Sequence, residues 1–279
     1  MSLWSREELR VVLCPDQVVL LKARARRSLF GWQRTVLDKR IVPCAMRPDD
    51  AEPWHAAVAA LNDALPGFAS PAAYATVILS NHFVRYAMLP WSDAVNSAEE
   101  ERAYAEHTFR EIYGESADGW ELRISPGQPG RPQVASAVEE QLLAALRQTG
   151  SPLHLRLDSI QPLLMQAYNQ CQELLAGRDA WLVIAEQNYL CVMLLHKGMW
   201  AWVRTLRVGS DWAESLSAML DREAFLANAS PDIGDVFVST PEHKIFAESA
   251  RWHIQPMRPG YLPGLEAERD RQFAIYINR

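Results

Sequence analysis

The stretch Ala180–Gly209, AWLVIAEQNYLCVMLLHKGMWAWVRTLRVG, decides how the rest of the chain is read. Apolar runs alternate with two short polar turns, EQN and HKG. Runs rich in Val, Ile, Leu and aromatic residues, bounded by turn formers, read as a meander of strands. DWAESLSAMLDREAFLA (211–227) then has apolar residues at helical spacing. DVFVS (235–239) is an apolar strand, and ARWHIQPM (250–257) reads as another. Strand, strand, strand, helix, strand is therefore the order of the second half.

The same order stands near the start. ELRVVLC (8–14), DQVVLLKARA (16–25) and QRTVLDKRIVP (33–43) read as strands, with a tight turn at Pro15–Asp16 and a second turn, RRSLFGW, around Gly31. PWHAAVAALNDAL (53–65) is a helix with Pro53 near its start, and YATVILS (74–80) is the strand after it. HFVRYAMLPW (82–91) follows as a strand across the turn residues Ser80 and Asn81. Its alternation puts Phe83, Arg85 and Ala87 on one face and Val84, Tyr86 and Met88 on the other. SAEEERAYAEHTFREIYG (97–114) is the clearest helix. Ser97 caps it, Glu99–Glu101 suit its first turn, Gly114 closes it, and Ala103, Phe109 and Ile112 are expected on one face. WELRIS (120–125) is a short strand, and SPGQPGRPQ (125–133) is a linker-like break. SAVEEQLLAALRQTG (136–150) reads as a helix with Ser136 and Glu139 in a capping box. LHLRLD (153–158) is a strand, and Asp158 caps a helix over SIQPLLMQAYNQCQELL (159–175) with Pro162 in its first turn.

Composition bounds the function. At 279 residues, 49% hydrophobic and 22% charged, the chain is long enough for one large or two medium domains with ample core. A net charge of -6 argues against a general nucleic-acid binder. The four cysteines, Cys14, Cys44, Cys171 and Cys191, fall in no CxxC or Cys/His pattern, so they read as reduced buried thiols, with a Cys14–Cys44 disulfide as the minor alternative. The N-terminal MSLWSREELR has no apolar region of a signal peptide, and no stretch approaches the ~20 apolar residues of a membrane span. On these features the chain is expected in the cytoplasm, with any membrane association peripheral or through a partner. Phosphate-loop, dinucleotide, zinc-protease and serine-hydrolase motifs are absent, and the seven histidines show no i,i+4 pairing. Trp200 and Trp202, two of ten tryptophans, are expected to share a strand face in the core.

Four segments in order carry a resemblance: VILSNHFVRYAMLPW, SAEEERAYAEHTFREIYG, SAVEEQLLAALRQTGSPLHLRLDSIQPLLMQAYN and the Ala180–Gly209 meander. In these the chain resembles the cytoplasmic actin-like proteins of type IV pilus and type II secretion machines: PilM, MshI and the cytoplasmic domain of GspL. The resemblance implies a two-lobed α/β, actin-like (ribonuclease-H-like) fold with duplicated βββαβ units. The first lobe is expected over 1–150, with a small inserted subdomain at about 81–133, and the second over 151–279.

Nucleotide-binding members of this fold hold phosphate on two hairpin turns and adenosine on a glycine pair. Glycine lets backbone amides approach the phosphate, and an acid holds the Mg²⁺ shell. The first turn here is LCPDQVV, with Asp16 and Gln17 but no glycine, and Pro15 removes an amide. In the second, IAEQNYL, Ala185 stands where the acid would be and Glu186–Gln187 follow. In the third, Ser239–Thr240–Pro241 replaces the glycines. Asp16, Gln17, Glu186, Gln187, Ser239 and Thr240 thus outline a degenerate nucleotide site with no cofactor. The expected protein is a pseudo-ATPase scaffold, no enzyme. The competing reading is an active PilM-type ATPase with atypical loops, and a third is an unrelated α/β topology.

The resemblance also implies partners. A groove in the first half would receive a cytoplasmic peptide segment of an inner-membrane pilus or secretion protein, and His82, Phe83, Arg85, Tyr86 and Trp91 would line it. An assembly ATPase and a second copy of the chain are further partners it admits, and the membrane would be met only peripherally. Separately, residues 22–40 hold Lys22, Arg24, Arg26, Arg27, Arg34, Lys39 and Arg40 against the single acid Asp38. Arg26, Arg27 and Arg34 around Phe30 and Trp32 suit an anionic membrane surface or an acidic partner; the alternative is a solvated hairpin with Trp32 folded onto its own sheet.

Overall fold

Strand β1 (Ser5–Leu13) turns at Pro15–Asp16 into β2 (Gln17–Ser28), and β3 (Gly31–Pro43) completes the first meander. The structure, a computed structural model, describes residues 5–28, 31–45, 52–258, 260–267 and 269–275. Helix α1 (Trp54–Ala64) then leads to β4 (Tyr74–Leu79), and β8 (Arg156–Pro162) closes the five-stranded sheet in the order β3-β2-β1-β4-β8. The meander pairs antiparallel, whereas β1–β4 and β4–β8 pair parallel. Both faces of β1 are buried, by Leu9, Val11 and Leu13 on one side and Val12 on the other, as suits a strand at the centre of a covered sheet.

The second half repeats this plan. Strands β9 (Ala180–Glu186), β10 (Tyr189–His196) and β11 (Met199–Arg207) form a meander, helix α5 (Trp212–Leu226) follows, and β12 (Asp235–Ser239) and β13 (His253–Pro256) close the sheet. Its order, β11-β10-β9-β12-β13, matches the first sheet strand for strand, with the same two antiparallel and two parallel pairings. Trp181, Val183 and Ala185 alternate along β9 and pack with Trp212, Leu216 and Leu220 of α5. The expected duplication of βββαβ units is thus present in the pairing itself, with no strong sequence identity between the halves.

A third sheet is inserted in sequence between β4 and β8. Strands β5 (Arg85–Leu89), β6 (Trp120–Ile124) and β7 (Gln133–Glu139) pair in the order β5-β7-β6. Helix α2 (Ala98–Tyr113) covers it, with Ala105 and Phe109 packed on Ala87, Leu89, Ala135 and Ala137. Ser97 caps α2 as expected: it forms a capping box with Glu100, whose backbone N–H donates to the Ser97 hydroxyl at 3.2 Å. Ala103 and Ile112, expected on the buried face, are exposed; Tyr104, Ala105, Phe109 and Tyr113 face the sheet instead.

Several local expectations are overturned. SAVE is the end of β7 rather than a helix start: Ser136 pairs with Tyr86 on one side and Arg123 on the other, and helix α3 runs only over Glu140–Gln148. Two partner strands outweigh the helix propensity of this run. SPGQPGRPQ is the hairpin loop joining β6 to β7, with Ser125 N–H donating to Val134 O at 2.9 Å. Asp158 caps no helix. It is the extra residue of a β-bulge, between the Ala75–Leu157 and Thr76–Ser159 pairs, and α4 (Leu163–Leu175) begins only after Pro162. A second bulge, at Leu194/Leu195, separates Trp200 from Trp202. Trp202 pairs with Leu194 and Trp200 with Leu195, so they face opposite sides of the sheet. Trp200 meets the ring of Tyr168 at 4.9 Å, while Trp202 packs on the α5 side.

The chain divides into two compact units, one of Met1–Phe83, Glu140–Gln166 and Pro259–Arg279, the other of Val84–Glu139 and Ala167–Arg258. The expected division at residue 150 does not follow these units, because β8 completes the first sheet. In the first unit the C-terminal stretch returns to β3. Val36 N–H donates to Pro263 O at 2.9 Å, Lys39 pairs with the buried Asp270, and a short helix α6 (Arg271–Ile275) buries Phe273. Among the described residues no helix is long and apolar enough to cross a membrane.

Candidate functional site

The first turn lies in the first unit, at the C-terminal end of β1. Cys14 N–H donates to Gln17 O at 3.0 Å, and Pro15 has no N–H to offer. The Asp16 carbonyl accepts from Cys44 N–H at 2.7 Å, and the Leu13 carbonyl accepts from Ser80 N–H at 3.0 Å. Asp16 itself is exposed and Gln17 half-buried. Burial, and then the charge of Asp16, pushes the Cys44 thiol up to about 11. All four cysteines are free thiols, so the Cys14–Cys44 disulfide is not formed.

The second and third turns lie in the other unit. Glu186 pairs with Tyr189 across a two-residue turn in which Asn188 takes a φ of 57°, and the Asn188 carbonyl accepts from Val208 N–H at 3.0 Å. The register puts Glu186 on the same sheet face as Ile184 and Cys191. Burial raises the Cys191 thiol well above its ordinary value, and the charge of Glu186 adds to that rise. Gln187 is exposed. Ser239 pairs with Ile184 at the end of β12, so Ser239–Thr240 and Glu186–Gln187 share one end of one sheet. Ser239 and Thr240 are both buried, and the Thr240 hydroxyl accepts from the Glu242 N–H at 3.2 Å.

Phosphate is held by converging amides that a glycine lets come close. Here one such position is proline, one amide is taken by its own turn, a hydroxyl is bonded to its own loop, and a carboxylate stands beside the second turn. Among the described residues there is also no group of acidic, histidine and cysteine side chains able to hold a metal ion.

One feature at the corresponding end of β4 escaped the sequence reading. Ser80 and Asn81 are fully buried, and Ser80 Oγ lies 2.9 Å from His82 Nδ1 while accepting from His82 N–H at 3.2 Å. The polar triplet SNH directly after an apolar strand was its signal.

The residues expected to line a peptide groove separate by burial. Phe83 and Tyr86 are 8% and 4% exposed, Arg85 and His82 are half-buried, and Trp91 is 42% exposed. His82 and Phe83 belong to the first unit, the others to the second. Tyr113 O–H donates to the Tyr86 carbonyl at 2.8 Å; burial raises the Tyr113 pKa, and that bond and Arg85 oppose the rise. The Trp91 indole N–H donates to Asp93 Oδ1 at 2.8 Å.

The basic hairpin divides too. Arg34 is not a surface cation: its Nε donates to Glu8 Oε2 at 2.7 Å, and Arg6 holds the other Glu8 oxygen at 2.8 Å. Burial alone would raise the Glu8 pKa, but Arg34 and Arg6 outweigh it and hold the carboxyl below its ordinary value. The Arg6 guanidinium lies 4.9 Å from the Trp32 ring centre and 4.8 Å from that of Tyr74. Arg26, Arg27 and Trp32 are exposed, and Phe30 lies outside the described residues.

No protein-family model matches the sequence, and no curated protein matches it. Solved structures do. The chain is similar to the cytoplasmic domain of EpsL, an inner-membrane component of the type II secretion system of Vibrio cholerae, at 12% identity and a TM-score of 0.56 over 90% of each chain. It is similar to the PilM–PilN type IV pilus biogenesis complex at 14% identity and a TM-score of 0.61, covering 96% of this chain and 95% of that one. A Bacteroides thetaiotaomicron protein of unknown function, described as having an actin-like ATPase fold, matches at 7% identity and a TM-score of 0.55 over 84% of this chain and 82% of its own. The chain therefore has the actin-like fold.

Proposed function

We propose that this chain is a non-catalytic cytoplasmic scaffold of a pilus or type II secretion assembly platform. It would bind a cytoplasmic segment of an inner-membrane partner and carry a degenerate nucleotide site at Asp16, Gln17, Glu186, Gln187, Ser239 and Thr240. The observation that carries the reading is the state of the three turns: an actin-like fold has been kept, while the positions that would meet phosphate and adenosine have no glycine and have polar groups bonded within the fold. The likeness to the EpsL cytoplasmic domain and to the PilM–PilN complex supports the setting. A scaffold needs the lobes and their surfaces, not the phosphate chemistry, so turns without glycines on retained sheets are the expected outcome of that role.

The same likeness favours a second reading, an ATP-binding PilM-type protein, because the larger TM-score is to the PilM–PilN complex. Titration of the purified protein with ATP and Mg²⁺ by calorimetry separates the two. The scaffold reading expects no heat of binding; micromolar affinity overturns it. In the scaffold reading, the His82, Phe83, Arg85, Tyr86 and Trp91 region receives the partner segment. An assembly ATPase and a second copy of the chain are further contacts of the same reading, tested by co-purification and by sedimentation.

A further inference from the structure

We infer that the hairpin end of the first sheet, at Arg26, Arg27 and Trp32, is a contact surface for an anionic lipid bilayer. The structure first removes the cations that only look available. Arg34 and Arg6 close on Glu8, and Arg24 lies 3.7 Å from Glu7. Lys39, farther along β3, pairs with Asp270. What remains at the hairpin end is Arg26 and Arg27, both exposed and in no ion pair among the described residues. The nearby charged groups on the neighbouring strand starts are Arg156, which donates to the Tyr74 hydroxyl at 2.8 Å, and the exposed Asp158. Arginines thus outnumber acids along this end, in a chain whose net charge is -6. An anionic surface would repel the rest of the molecule and attract this edge.

The arrangement selects a plane rather than a peptide. Arg27 pairs with Trp32 and Arg26 with Gln33, so the two guanidiniums project from opposite faces of the hairpin. A ligand that meets both must therefore span the end of the hairpin. Headgroups spread in a plane across the hairpin end can meet both. Trp32 fits the same surface. It is 43% exposed and stands opposite Arg27, and one of its ring faces is held by the Arg6 guanidinium. An indole beside arginines suits the headgroup boundary, where the ring is half-immersed and the cations stay among the phosphates.

The inference is independent of the scaffold reading, since it concerns lipid and not a protein partner. The test is co-sedimentation of the full chain with phosphatidylcholine vesicles, with and without phosphatidylglycerol. Retention is expected only with phosphatidylglycerol and should be lost in molar salt, where the Debye length falls to about 3 Å. Each arginine near an anionic surface is worth roughly fivefold in partitioning, so R26E/R27E, which also reverses the sign, should lower it by about a hundredfold or more. Trp32→Ala should weaken retention less. Circular dichroism checks that these exposed substitutions leave the fold intact. Equal retention on neutral and charged vesicles, or unchanged retention of R26E/R27E, overturns the inference. So does absence of vesicle binding together with capture of poly-glutamate, which would assign the surface to an acidic protein segment.

Discussion

Arg34 Nε meets Glu8 Oε2 at 2.7 Å although β2 runs between their two strands. The reach is possible because β2 presents small side chains on that face: Ala25 stands between Arg6 and Arg34, and Ala23 between Glu8 and Val36. The carboxylate is nearly buried and carries both arginines. Removing the charge of one buried partner leaves the others uncompensated, which costs about 3 kcal/mol. Glu8→Gln should lower the urea midpoint accordingly. The pH dependence has a defined sign. The folded pKa of Glu8 lies below its ordinary 4.5, so its stabilisation is complete above that value and is lost as pH falls through the folded pKa. The stability gap between wild type and Glu8→Gln should therefore hold steady from neutral pH down to about 4.5 and narrow below it. A gap independent of pH through the acid range contradicts the pairing.

Helix α2 starts with a reciprocal cap. The Glu100 carboxylate accepts from Ser97 N–H at 3.1 Å and from Asn96 N–H at 2.8 Å, and Ser97 Oγ accepts from Glu100 N–H. Ser97→Ala should cost about 1 kcal/mol of stability, and Ser97→Asp should restore most of it. Thermal melts followed by circular dichroism read both. A Ser97→Ala melt superimposable on wild type would show that the cap is not holding this helix.

The duplicated meanders were legible because apolar runs and turn residues alternate locally, and a hairpin needs little else. Elements decided by distant partners were not. The SAVE segment has helix-forming neighbours and became a strand because β5 and β6 pair on both its sides. The bulges at Asp158 and between Leu194 and Leu195 depend on where a neighbouring strand's register slips, which no local pattern records. For the candidate site, the missing glycines could be read directly. The commitment of Arg34 to Glu8 could not, since it rests on the two alanines of an intervening strand.

Thiol chemistry should be muted. Burial pushes Cys44 up to about 11 and Cys171 to about 12, and Cys191 is fully buried. A thiol attacks as thiolate, so the native protein should react slowly with Ellman's reagent near neutral pH, with half-buried Cys44 the first to respond as pH rises toward 11. All four should react at once in denaturant. Rapid release from the native protein at pH 7 would place one of these thiols in a different environment.

Burial also divides the five residues proposed to receive a partner segment. Phe83 is buried, so Phe83→Ala should act on the fold first, costing about 3 kcal/mol, with any loss of binding following from that. Trp91 is exposed and bonded only to Asp93 among the described contacts of its indole N–H, so Trp91→Ala should leave the unfolding midpoint within about 0.5 kcal/mol of wild type. An exposed tryptophan is also the residue type that most often dominates a binding surface. Capture of the partner's cytoplasmic segment by Trp91→Ala should therefore fall by about tenfold or more, and Arg85→Glu should weaken it through charge. The decisive comparison is at matched stability: if Trp91→Ala and Arg85→Glu both capture the segment like wild type while folding normally, this surface is not where the partner binds.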